Sequence, residues 1–161
     1  MGTRVAAVAL LLALFQMSAA CSGDDPGPGP GHDETSDADC AQQIPDTVFT
    51  TLGWTVTSEA PEATVRGCHR EAEQGYVEVR ERTGYDKLCA TLDRSGGVSP
   101  GTPVDWLGGT VTACAVEPAN DVGQTKVVIK GSGDQATQIT IAVLTSTPHT
   151  KVREAVAELV P

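Results

Sequence analysis

The stretch Tyr76-Val77-Glu78-Val79-Arg80-Glu81-Arg82 decides the fold. Val77 and Val79 alternate with polar or charged residues, and this period of two is typical of a strand with one dry and one wet face. The stretch therefore predicts a half-buried strand.

Other stretches of the chain also predict strands. Their apolar residues alternate and are bounded by turn residues, at 54–57, 65–71, 104–106, 110–116, 125–130 and 138–144. The last of these is apolar on both sides, which predicts a central, covered strand.

Three segments have helical spacing of their apolar residues. The first runs from Pro45 to Leu52 and is stopped by Gly53. The second covers 85–92, and the third follows Thr147-Pro148, which we expect to cap it. Runs of strands interrupted by single helices predict an α+β fold, with an antiparallel sheet of about six or seven strands and three flanking helices.

The first 21 residues have the layout of a secretory signal. Arg4 is followed by an unbroken apolar run at 5–15, and then by Ser18-Ala19-Ala20 and Cys21. The end of this segment resembles the lipobox of bacterial lipoproteins, although Ser18 stands where an aliphatic residue is usual. The resemblance implies that residues 1–20 are removed and that Cys21 is lipidated. The alternative is an ordinary signal peptide that is cut nearby.

Residues 22–39 predict a disordered tether, because they combine alternating Pro and Gly with six acids and no Lys or Arg. We expect residues 21–39 to carry the lipidated cysteine and this tether, and residues 40–161 to form a single domain. The chain has a net charge of −10, but 15 acids against 10 bases remain from Cys40 onward. This balance argues against a nucleic-acid partner, which would require clustered Lys and Arg.

Four cysteines remain if Cys21 carries lipid, and an even number in an exported chain predicts two disulfides. Three pairings are open. We favour Cys40 with Cys68 and Cys89 with Cys114, because each pair would join a predicted helix to a predicted strand.

The search for a catalytic or metal site predicts neither, and no cofactor. Cys68 and His69 are adjacent on a strand, so their side chains point to opposite faces. His149 has no partner at metal-ligand spacing, and the four cysteines form no Cys-x-x-Cys pair. The acidic and basic residues of the stretch 66–82 are read as cross-strand ion pairs, with acid–base catalysis on a glycan as the alternative.

Trp54 and Trp106 are the largest side chains of the expected domain. Each is read either as core or as the wall of a groove for a lipid, a peptide or a glycan.

The lipobox-like cysteine, the acidic Gly/Pro tether, Cys40, Leu52-Gly53-Trp54 and Cys68, with a strand-rich remainder, resemble small actinobacterial cell-envelope lipoproteins of an uncharacterised family. Such domains are similar to the fold of the photosystem accessory protein PsbP and the nuclear import factor Mog1. The resemblance implies a cellular location and a fold, but it implies no established reaction.

The expected function is therefore that of a lipoprotein tethered to the cell membrane on its extracytoplasmic side. We expect a non-catalytic binding or accessory module, whose partner is an envelope protein or a small apolar ligand. The alternatives are an envelope glycan or ester hydrolase, and a structural surface lipoprotein without a defined ligand.

Overall fold

The computed structural model describes residues 37–58, 62–64, 66–94, 104–109 and 111–160. The expected signal peptide, Cys21 and all of the expected tether before Asp37 lie outside these residues. The helices are α1 (Asp37–Gln43), α2 (Asp46–Leu52), α3 (Tyr85–Asp93) and α4 (His149–Leu159), with a 3-10 helix at Asp105–Leu107. The strands are β1 (Glu62–Thr64), β2 (Gly67–Ala72), β3 (Gly75–Thr83), β4 (Ala113–Val116), β5 (Gly123–Lys130) and β6 (Gln135–Val143).

The six strands form one open antiparallel sheet in the order β1-β2-β3-β6-β5-β4. The predicted α+β class is thus confirmed. Strand β6 lies between β3 and β5, as its apolar residues on both sides predicted. Val77 is paired with Ile141 and Val79 with Ile139, so the alternation in β3 places these side chains on one face of the central strands.

The two faces of the sheet are covered by different helices. On the main face, residues of α2 and α4 form one core with the inward side chains of β3, β5 and β6. The opposite face, called here the α3 face, has a small cluster in which Tyr85 and Cys89 of α3 pack with Cys114, Val128 and Ala136. Consecutive residues of β5 therefore belong to different cores, because side chains alternate along a strand.

Each face contains one of the two disulfides. Cys40 of α1 is bonded to Cys68 of β2, with 5.3 Å between their Cα atoms. Cys89 of α3 is bonded to Cys114 of β4, with 5.8 Å between their Cα atoms. Both favoured pairs are present, and each joins a helix to the sheet.

Two segments expected as strands have other structures. At 54–57, Val56 makes only an isolated bridge with Ala72, and the amide of Trp54 donates to the Phe49 carbonyl in the turn that ends α2. At 104–106, the chain instead enters the 3-10 helix, in which Leu107 N–H donates to the Val104 carbonyl.

Helix α1 was not predicted, and it begins three residues before the expected boundary at Cys40. The three predicted helices are α2, α3 and α4. Gly53 ends α2 with a φ of +72°, a conformation that glycine adopts without a Cβ penalty. Thr147 makes no side-chain cap for α4, since its hydroxyl accepts a hydrogen bond from the indole of Trp54.

Candidate functional site

The candidate site is an open pocket of about 360 Å³ at one end of the main face. It lies where α1 and α4 both end above the neighbouring strands β3 and β6. Its lining residues come from these four elements and the residue after α4: Gln42, Gln43, Val79, Glu81, Thr137, Glu158, Leu159 and Val160.

The register of the sheet explains why a pocket forms at this end. Glu81 is paired with Thr137, two residues beyond the core pair Val79 and Ile139. At Glu81 the side chains on the main face change from apolar to polar. Because α4 ends at Leu159, no helical turn continues over this part of the sheet.

The pocket combines an apolar base with a polar rim. Val79 and Leu159 are buried, whereas the side chains of Gln42, Glu81 and Glu158 are exposed. Five of the eight lining residues are polar, so the pocket is more polar than most small-molecule sites, whose walls are mainly apolar. The arrangement provides carboxylate and amide oxygens that accept hydrogen bonds above a surface that contacts carbon.

The two tryptophans lie elsewhere. Trp54 is in the main core with 8% exposure, and its Nε1–H donates to the Thr147 hydroxyl over 2.9 Å. Trp106 is half-buried on the outside of the same core, where the Arg153 guanidinium carbon lies 5.7 Å from its ring centroid. Neither tryptophan lines the pocket.

A second polar cluster links the β4–β5 loop to α4. Arg153 donates two hydrogen bonds, of 2.8 and 2.7 Å, to the carboxylate of Glu117. The hydrogen bond with Glu117 raises the pKa of the Arg153 guanidinium above its ordinary value. Since an arginine is protonated far above neutral pH even without such a partner, Arg153 stays charged at any pH at which the domain functions.

His149 belongs to this same cluster. Its Nε2 lies 2.9 Å from the carbonyl oxygen of Asn120, so it donates its hydrogen there. The carboxylate oxygens of Asp121 and Glu117 lie 3.6 and 3.9 Å from the ring nitrogens. These partners come from the loop about 30 residues earlier in the chain, so no sequence spacing around His149 indicates them. Such partners make His149 a link between the loop and the helix.

The charged residues of 66–82 divide between the two faces. On the α3 face, Arg80 pairs with Glu78 at 2.6 Å and His69 with Glu71 at 3.5 Å. These are pairs along one strand, and not the cross-strand pairs that were expected. Arg70 points to the main face, where it pairs with Asp46 and lies 5.1 Å from the Phe49 ring centroid. Because side chains alternate along β2, Arg70 lies on the opposite face of the sheet from its neighbours His69 and Glu71.

Two further properties concern the part of the chain that the structure describes. Within it, no group of three or more His, Cys, Asp or Glu side chains is placed to hold a metal ion. Its helices are also too short or too polar to cross a membrane.

Comparison of the chain with protein-family models, curated proteins and solved structures finds no match. The resemblance to actinobacterial envelope lipoproteins thus stays a prediction.

No feature of the sequence predicts the pocket. Its lining residues lie at 42–43, 79–81, 137 and 158–160, and they share no motif or spacing. The available signal was only the change from apolar Val79 to charged Glu81 on one face of β3, which marks the end of a core. Which helix ends lie above that point is decided by packing between distant segments.

Proposed function

We propose that this protein is a lipoprotein of the cell envelope, anchored through Cys21, whose domain binds a ligand without catalysing a reaction. The pocket of about 360 Å³ is the observation that carries the binding function. Its volume lies within the range of roughly 300–1,000 Å³ that is usual for small-molecule sites.

The cysteines support an extracytoplasmic location. Disulfides persist in oxidising compartments and are rare in the cytosol. Four of the five cysteines are paired with one another, which leaves Cys21 outside both disulfides. A cysteine set apart in this way, directly after an apolar segment and small residues, is suited to receive a lipid.

The anchor is tested by the variant Cys21→Ser. We expect the wild-type protein in the membrane fraction and the variant in the medium, because the attachment atom is lost. A variant that stays in the membrane fraction contradicts the anchor. Ser22→Ala is a matched control, since it changes the residue next to Cys21 but leaves the proposed lipid site intact.

The pocket also favours a second candidate function, because Glu81 and Glu158 both line it. Two carboxylates across a bound sugar are the groups that glycoside hydrolases use. Turnover of envelope polysaccharides or esters that is abolished by Glu81→Gln or Glu158→Gln would establish the hydrolase. Saturable binding without turnover supports the binding module instead.

A further inference from the structure

The pocket presents negative charge that no cation of the described residues neutralises. Glu81 and Glu158 contribute two carboxylates, and no Lys, Arg or His is among the lining residues. Within the described part of the chain, neither carboxylate forms an ion pair, and Arg80 and Arg153 pair with Glu78 and Glu117 instead. Arg82 follows Glu81 and the Arg66 carbonyl accepts the Glu81 N–H, but their exposed side chains form no ion pair with it. A ligand that carries positive charge would supply the missing partner.

Helix α4 adds to this negative potential. The helix has eleven residues and ends at Leu159, so its last carbonyls lie beside the pocket. Its last turn contains no basic residue. Helix C-termini carry a partial negative charge and favour cations nearby.

The apolar base limits the kind of cation. Val79 and Leu159 are buried, and Val160 is half-buried next to them. These side chains would contact carbon, whereas a metal ion requires several oxygen ligands arranged around it. The volume of about 360 Å³ suits a short aliphatic chain with one charged end.

We propose that the pocket binds an organic cation, a primary ammonium or guanidinium group on an aliphatic stem. This inference rests on the proposed binding function and names its ligand class. The charged group lies between the carboxylates of Glu81 and Glu158, and the stem covers Val79 and Leu159. The same chemistry occurs in a free alkylamine and in a Lys or Arg side chain of a protein.

The test uses the full chain in detergent and isothermal titration with probes of one stem length. Hexylammonium is the cation, hexanol the neutral control and hexanoate the anion. We expect hexylammonium to bind roughly tenfold or more tightly than hexanol, because hydrogen bonds to charged groups are the stronger ones. Its affinity should fall as salt is added. A short acetylated peptide with one central Lys shows whether a side chain also enters the pocket.

Two variants and one control locate the binding. Glu81→Gln and Glu158→Gln should each weaken hexylammonium binding about tenfold, while hexanol binding stays unchanged. The Thr51 hydroxyl donates a hydrogen bond to the Glu158 carboxylate, and the amide oxygen introduced by Glu158→Gln can still accept it. Glu73→Gln removes an exposed carboxylate from the β2–β3 turn, outside the pocket, and should change nothing.

The outcomes separate the ligand class from the binding function. If hexanol or hexanoate binds as tightly as hexylammonium at the pocket, the cation proposal is overturned and the binding function stands. If no probe binds saturably, both are overturned. If the Lys peptide binds more tightly than hexylammonium and loses affinity in both variants, the class is supported and the source is a protein side chain.

Discussion

The two faces of the sheet are stabilised by different means. On the main face, helices α2 and α4 cover a continuous apolar core, and the disulfide Cys40–Cys68 lies within it. On the α3 face, a single helix packs on β4 and β5 over a small cluster, and the disulfide Cys89–Cys114 is part of that cluster. One disulfide thus adds to a large apolar core on the main face, and the other makes up much of the small core on the α3 face.

This difference indicates which parts of the fold depend on hydrophobic burial alone. Burial stabilises roughly in proportion to the apolar area removed from water, about 25 cal/mol per Å². The main face removes much more apolar surface than the α3 face. We infer that the main face stays folded without its disulfide, whereas α3 requires the bond to Cys114 to remain on the sheet.

The largest expected effect is the loss of a disulfide. The double variants Cys89→Ala with Cys114→Ala, and Cys40→Ala with Cys68→Ala, should each lose about 3 kcal/mol in free energy of unfolding. Similar losses are expected because the bonded residues are separated by 25 and 28 positions. Denaturant unfolding at equilibrium measures both losses.

Hydrogen exchange then distinguishes the two faces. Without Cys89–Cys114, the amides of α3 should exchange rapidly while those of β3 and β6 stay protected. Without Cys40–Cys68, protection of α3 should be unchanged. If α3 stays as protected as in the wild type after loss of its own disulfide, the proposed contrast between the faces is wrong.

A smaller effect compares neighbouring residues of β5. Val127 and Val128 are 0% and 1% exposed, and they belong to the main core and the α3 cluster respectively. Val127→Ala should cost about 2 kcal/mol, since two methyl groups are lost and the surrounding core cannot close the cavity. Val128→Ala should cost about 1 kcal/mol, because α3 can move toward the sheet. Urea titrations measure both losses in free energy of unfolding, and equal losses would show that the two faces tolerate a cavity equally well.

The smallest effect concerns the two histidines. Both His→Gln variants should fold. His149→Gln loses the bond to the Asn120 carbonyl and should cost about 0.5–1.5 kcal/mol, a decrease in Tm of a few degrees. His69→Gln loses a 3.5 Å contact with the exposed Glu71 and should stay within about 0.5 kcal/mol. Calorimetry measures both changes in Tm. A larger decrease in Tm for His69→Gln than for His149→Gln would show that the contact between His69 and Glu71 stabilises the fold more than expected.

Much of the fold could be predicted because its signals are local. Alternation predicted β3, spacing and Gly53 predicted α2, and the cysteines predicted two helix-to-sheet links. The prediction of a strand at 104–106 was wrong, because three residues are too few to distinguish a strand period from the 3-10 helix that begins at Asp105. Arg70 was grouped with the surface charges, although its position in β2 places it with Cys68 on the main face.

The sequence by itself determined the strands, the helices and the glycines that end them, because these follow from steric limits and burial periods within a few residues. It also determined that four cysteines were available to form two disulfides. Only the tertiary structure decided that Trp54 turns into the core and that α1 and α4 end together above Glu81 and Thr137. The pocket arises from that coincidence of helix ends. Segments from opposite ends of the domain meet there, and their relative position depends on how whole helices pack on the sheet.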